Sequence, residues 1–222
     1  MCGRYAQTNP SKILIKYYGL TAAPEITARY NIAPTQKAPV VRLNEKGELE
    51  LGMMRWGLVP TWAKDPSMGA RLINARAETV KEKPSFRAAY KKRRCLVPAS
   101  GFYEWKNAGA KKQPYFILPK DESLFSFAGL WEHWFDAEEK SLETFTIVTT
   151  DANGFMRNLH ERMPVIVKTP DFKAWLDPAI AIHDPWQKPY PDEIMDCYPV
   201  SLRVNSPRND DESLLAAVPI TE

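Results

Sequence analysis

Apolar and polar residues alternate in short runs along most of the chain, and long stripes with helical spacing are scarce. Residues 38–43 alternate as a strand, Asn44-Glu45-Lys46-Gly47 makes a turn, and residues 48–56 return as the second arm of a hairpin. Residues 95–99 read as a buried strand. Residues 101–105 follow as a second one, which carries a carboxylate, Glu104, among aromatic side chains. Residues 28–34 form a short extended segment ended by Pro34, and residues 115–118, 125–131, 145–150, 164–167 and 198–204 read as further strands, with 106–113 as a polar turn. Glycine and proline interrupt the pattern over Trp56-Gly57-Leu58-Val59-Pro60-Thr61-Trp62, and a loop over 63–69 leads into 72–79. Helical spacing is confined to Ser11–Tyr18, with Ser11 as cap and Gly19 behind it, a helix start over 84–90, one or two turns over 153–159 and a short helix over 170–176. No repeat, low-complexity tract or linker divides the chain. The pattern predicts an α+β fold: residues 1–222 as a single strand-rich domain with a barrel-like or sandwich-like β core flanked by short helices.

Composition agrees with that picture. A chain of 222 residues buries on the order of 70% of its unfolded surface. The 19 prolines exceed the usual share and favour turns and edge strands over long helices. A net charge of +3 is ordinary for a neutral enzyme, so only clustering of the basic residues would point to nucleic acid. The three cysteines, Cys2, Cys95 and Cys197, are widely spaced, and His133, His160 and His183 stand far from any cysteine pair, so neither a metal site nor a disulfide framework is expected. There is no apolar run of membrane-spanning length and no signal-peptide profile. The expectation is a reducing compartment, cytoplasmic (at the nucleoid) or nuclear, with no membrane partner.

The first four residues, Met1-Cys2-Gly3-Arg4, carry the sharpest chemistry. A small second residue favours removal of the initiator methionine, which leaves a cysteine with a thiol and a free α-amine on neighbouring carbons. At pH 7 roughly a tenth of an α-amine is neutral, against about four parts in ten thousand of a lysine. Such an amine forms a Schiff base with an aldehyde, and the thiol can close on the imine carbon to give a five-membered thiazolidine. Gly3 permits close approach to a ligand and Arg4 places a permanent charge beside it. Burial of Glu104 would raise its pKa and suit it to pass protons near neutrality, although a glutamate on an exposed strand face is the commoner case. His160, beside Arg162, could act as a general acid or be a hydrogen-bonded structural histidine. Asn31 and Asn74 offer neutral hydrogen bonds. Arginines recognise phosphate with a planar fork, and an exposed Trp62 could stack on a base. For Lys91-Lys92-Arg93-Arg94 the reading is a solvated helix C-terminus.

Singly these signals are weak, but the terminal four residues and six further motifs stand in one order. After the terminal four come Arg29-Tyr30-Asn31-Ile32-Ala33-Pro34, the Trp56 to Trp62 segment, Asn74-Ala75-Arg76-Ala77-Glu78-Thr79, the run Arg94 to Trp105, Ala128-Gly129-Leu130-Trp131, and a stretch from Thr149 through His160-Glu161-Arg162-Met163-Pro164-Val165. The set resembles the SRAP family, the SOS-response-associated peptidases, from the terminus to about Val167. That resemblance implies covalent capture of abasic sites in single-stranded DNA, including strand junctions, by a thiazolidine on Cys2. It casts Glu104 and His160 as the proton-handling pair and Asn74 as the residue that positions the sugar. It casts Gly3, Arg4, Pro34, Trp62, Arg76, Arg162 and Met163 as DNA contacts, and it implies a monomer that needs no cofactor. The family's name records a peptidase activity, and removal of Met1 is the natural candidate for it. Residues 170–199 match no motif.

Two other readings stay open at this level. A Met-Cys-Gly start also fits an N-terminal-nucleophile amidohydrolase, in which the thiol attacks an amide and the α-amine is the base. A non-covalent single-stranded DNA binder with an inert terminus is the other.

Overall fold

The computed structural model describes residues 2–109, 111–120, 124–180 and 189–219; Met1 and the 181–188 part of the proline-rich stretch, with His183, lie outside them. In chain order the strands are β1 (Tyr5–Gln7), β2 (Arg29–Ile32), β3 (Lys37–Leu43), β4 (Leu49–Trp56), β5 (Asn74–Arg76), β6 (Arg94–Ala99), β7 (Gly101–Ala108), β8 (Lys111–Pro119), β9 (Phe125–Phe135), β10 (Ser141–Asp151), β11 (Arg162–Pro164) and β12 (Met195–Pro199). Three short α-helices accompany them: α1 (Ser11–Tyr18), α2 (Arg87–Lys92) and α3 (Phe172–Leu176). The fold is α+β and strand-rich, as the pattern predicted.

Strands β4, β3, β6, β9 and β10 pair in that order, and β10 pairs back with β4, so this sheet closes into a barrel. The pleat explains which residues fill it. Val40, Cys95, Val97 and Ile147 point into one core, while their neighbours Val41, Leu96 and Val148 join a second core under the helices with Leu14, Tyr18 and Trp175. The closing pair is parallel, Thr144 opposite Arg55 and Phe145 opposite Trp56, and it is short. β5 continues the same edge of β10, with Asn74 opposite Ile147. Thus β4 and β5 act as one interrupted strand, and residues 57–73 loop out between them. The loop's neck is tight: Gly57 N–H donates to Phe145 O at 2.7 Å and Leu58 N–H to Leu72 O at 3.2 Å. Gly57 has φ +118°, and a Cβ there would lie 2.5 Å from Gly69 O. Only glycine meets both demands.

The second sheet runs β12-β8-β7-β1-β2 with antiparallel pairs throughout. Ser100 alone separates β6 in the barrel from β7 in this sheet, and its N–H donates to Ala6 O at 2.8 Å. The chain therefore turns from one sheet to the other beside β1. Side chains from both sheets, among them Tyr5, Trp56, Phe102, Phe125, Phe127 and Phe145, share one core at this end of the barrel.

Several local expectations are corrected. Ser11 lies inside the helix and caps nothing; Pro10 precedes the first turn, and the Ser11 hydroxyl instead bonds Pro24 O at 2.6 Å and Ile26 N–H at 3.0 Å. The polar stretch 106–113 is largely paired strand, because polar residues serve a two-stranded arm as well as a loop. The last strand ends at Pro199, and Leu202–Asn205 is a 3₁₀ turn. Arg94 is buried rather than solvated, held by the carbonyls of Tyr90, Trp175, Asp177 and Ile180. Lys91 and Lys92 do lie in the last turn of α2.

The glycine neck gives a stability test. Gly57→Ala should lower the unfolding free energy by at least ~2 kcal/mol, from positive-φ strain and backbone overlap together; thermal melting against the parent chain measures it, and an unchanged melting temperature would contradict the tight neck.

Candidate active site at the chain terminus

Cys2 is fully buried, which a frayed second residue would not be. β1 holds it there. Tyr5 pairs with Phe102 and Ala6 with Gly101, and Tyr103 N–H donates to Arg4 O at 3.0 Å. The same register carried toward the terminus brings Gly3 opposite Glu104. Glu104 is 4% exposed on β7, and its carboxylate acts electrostatically on the Cys2 thiol. Two residues distant in sequence are thus neighbours because one strand pair aligns them.

His160 arrives from the other side. A 3₁₀ turn over Met156–Asn158 ends with His160 N–H donating to Met156 O at 2.8 Å. Met156 and Met163 flank that turn and pack in the same core as Cys2. His160 Nδ1 accepts from Arg162 N–H at 2.9 Å, so in the neutral ring the proton sits on Nε2. Asn74 opens β5, joined to the core through its neighbour Ile73, whose carbonyl accepts from Trp56 Nε1 at 2.9 Å. Its own Nδ2 donates to Ile73 O at 3.0 Å, while Oδ1 is buried with no hydrogen bond among the described residues.

The electrostatics follow from burial. Desolvation pushes Glu104 up to about 7, against the opposing positive charges of the chain terminus and Lys112. Burial, reinforced by Glu104, holds the Cys2 thiol far above its ordinary range, so it is a neutral thiol near pH 7. Burial also lowers His160, with the terminal charge and Lys112 acting the same way. The arrangement can deliver and accept one proton near neutrality beside a sealed thiol.

The expected DNA contacts divide into two sets. Trp62 (55% exposed) and Arg76 face solvent, and Gly3 and Pro34 are half-buried. Met163 is fully buried in the core. Arg4 and Arg162 are engaged within the protein. Arg4 donates to Asn31 Oδ1 at 3.0 Å, Val204 O at 2.8 Å and Asn205 O at 3.2 Å, tying the terminus to the C-terminal turns. Arg162 bonds Glu78 at 2.7 and 2.9 Å, Asp151 at 2.6 Å and Thr149 O at 2.7 Å, which braces the turn that carries His160. Three residues escaped the sequence reading. Tyr5 is buried with no hydrogen bond to its hydroxyl among the described residues, and Cys2 is among the groups that raise its pKa, after burial itself. Lys112 was hidden in a presumed turn. Asp210 accepts from Tyr30 N–H and Asn31 N–H at 2.6 and 2.9 Å and pairs with Arg29, far downstream of any motif.

With the geometry in place, comparison with known proteins is direct. The family model for SOS response associated peptidase (SRAP) matches residues 1–207. Abasic site processing protein YoaM of Bacillus subtilis is 42% identical over 224 residues, covering 98% of each chain. Abasic site processing protein YedK of Escherichia coli is 33% identical, covering 79% of each. A crystal structure of a Bacteroides thetaiotaomicron protein superposes with a TM-score of 0.87 at 29% identity, over 98% of this chain and 100% of that one. The chain belongs to the SRAP family.

The raised carboxyl makes a pH-dependent prediction. Below the ordinary carboxylate range Glu104 is protonated folded and unfolded, so it costs nothing. As pH rises toward 7 the unfolded chain releases the proton first, and stability falls. Glu104→Gln removes that cost: it should stabilise the fold by about 2–4 kcal/mol at pH 8, a gain that vanishes toward pH 4 in melts across the range.

Proposed function

We propose that this protein processes abasic sites in single-stranded DNA by covalent capture through Cys2, after Met1 has been removed. The observation that carries the reading is the full burial of the Cys2 thiol within the electrostatic reach of Glu104, a carboxyl that burial pushes up to about 7. The relatives named as abasic site processing proteins support the substrate class.

In the proposed sequence the ring-opened deoxyribose presents an aldehyde to the Cys2 amine. The amine attacks the carbonyl carbon, and the carbinolamine loses water with Glu104 or His160 supplying the proton, leaving an imine. The buried thiol is neutral and cannot compete for the aldehyde as a thiolate. It adds to the imine carbon only as its proton passes to the nitrogen, by way of Glu104, and the thiazolidine ring closes. Aldehyde and aminothiol thus give thiazolidine and one water. The unpaired Oδ1 of Asn74 accepts a hydrogen bond from a sugar hydroxyl. The exposed Trp62 and Arg76 hold the strand outside, with Gly3 and Pro34 shaping the approach and Met163 packed in the core beneath it. Arg4 and Arg162 keep the terminus and the His160 turn in place and reach phosphate only by exchanging partners. Hydrolysis of the Met1–Cys2 bond is the peptidase step this chemistry requires.

Intact mass of the purified protein before and after incubation with abasic single-stranded DNA tests the scheme. The product should weigh the Met1-free chain plus the oligonucleotide less one water, and it should survive denaturant. Cys2→Ala should abolish it, while Cys2→Ser should leave only an imine that needs borohydride to be trapped. A normal yield of stable adduct from Cys2→Ala, or glutaminase turnover without any adduct, would overturn the scheme.

A further inference from the structure

Apart from the residues of the candidate site, a cleft of about 740 Å³ opens between α2 and residues 178–180, and none of Cys2, Asn74, Glu104 and His160 lines it. Among the described residues Lys81, Arg87, Lys91 and Lys92 line it and no acidic side chain does, and its apolar surface comes from Ala88, Tyr90, Pro178, Ala179 and Ile180. Residues 81–94 hold seven basic side chains against one acidic, whereas the whole chain nets only +3, so the rest of the molecule carries no positive excess. Two of the seven are spent internally: Arg93 on Glu132 and Arg94 on backbone carbonyls. The side chains of Arg87, Lys91 and Lys92 are exposed and make no hydrogen bond or ion pair among the described residues.

The cleft is also built to a fixed width. The buried Arg94 guanidinium donates to Tyr90 O at 3.0 Å on one wall and to Ile180 O at 3.1 Å and Asp177 O on the other. Tyr90 is braced edge-on by Trp175 at 6.4 Å, and Ile180 is 39% exposed at the rim. Arg87 and Lys91 stand one helical turn apart, about 6 Å along the axis. A row of cations above an apolar floor, with both walls pinned, fits a strand that presents phosphates on one side and unpaired bases on the other. A duplex would leave the apolar floor unused.

We infer that this cleft is a second groove for single-stranded nucleic acid, holding the strand by phosphate contacts from Arg87, Lys91, Lys92 and Lys81 and by base contacts on Tyr90 and Ile180. It extends the proposed function by holding the same strand away from the reacting sugar. The groove and the reacting residues are separate sets of side chains, since no residue that lines the cleft belongs to the candidate site. Removal of the groove's cations therefore leaves the reacting residues in place, and a short abasic strand reads the reacting site.

The test compares the parent chain with Arg87→Gln/Lys91→Gln/Lys92→Gln, its fold checked by melting temperature. Non-covalent binding of an intact polythymidine strand of about 30 nucleotides is read over a salt series. The triple variant should bind about tenfold more weakly at low salt, with a slope of log affinity against log salt shallower by about 2, since each lost single-strand contact removes about 0.7. The parent should prefer the single strand to a duplex of equal length. Crosslinking to a five-nucleotide abasic strand should be the same in both proteins. Unchanged affinity and slope would overturn the groove, as would equal binding of duplex. Displacement of the strand by an equal charge of polyglutamate would reassign the cleft to an acidic protein partner. Absence of crosslinking in the parent would count against covalent capture alone, because the groove is read on intact DNA.

Discussion

The pairing of β1 with β7 is the constraint on which the site depends. Chain termini ordinarily fray, because few contacts offset the entropy of ordering them. Here three residues of strand, a carbonyl bond from Arg4 to Tyr103, and the Arg4 guanidinium bonded to the C-terminal turns hold the terminus down. The result is a second residue with no solvent exposure beside a carboxyl raised to about 7. Loss of that pairing would return Glu104 to ordinary acidity and the thiol to water, and the chemistry would go with them.

Burial serves two opposite ends in this site. It keeps the thiol protonated, and it pushes the carboxyl up to about 7. The raised carboxyl costs folding free energy near neutral pH, and the aromatic core shared by the two sheets offsets it. Trp56 links the functions. Its ring stacks on Phe145 at 6.3 Å and meets Tyr5 edge-on at 5.2 Å, while its Nε1 holds the carbonyl of Ile73 next to Asn74. Core packing and site placement are therefore the same contacts.

β10 is the spine of the remainder. Its edge receives β4, then β5, and its last residues receive β11, so Asn74 and the segment after His160 are set out along one strand. The loop expelled between β4 and β5 carries Trp62 into solvent, and its closed glycine neck keeps the excursion from disturbing the barrel. An exposed aromatic side chain thus hangs from a rigid frame, a common division of labour between loops and sheets.

Sequence alone determined the strand-rich α+β character, most of the strand positions, Cys2 as a candidate aminothiol and the set of motifs that mark the family. Those features are local: period-two alternation, glycine and proline punctuation, and the intrinsic pKa of an α-amine. Tertiary structure decided the rest. Closure of the barrel by a parallel β4–β10 pair, the union of β5 with the same edge and the alignment of Gly3 with Glu104 are long-range pairings that no local pattern encodes. So is the fate of each arginine: Arg4, Arg94 and Arg162 have the same fork in sequence as Arg76 and Arg87, and only the carbonyls and carboxylates folded around them make them internal braces. Tyr5, Lys112 and Asp210 were illegible for the same reason, since each matters through what the fold places beside it and not through its neighbours along the chain.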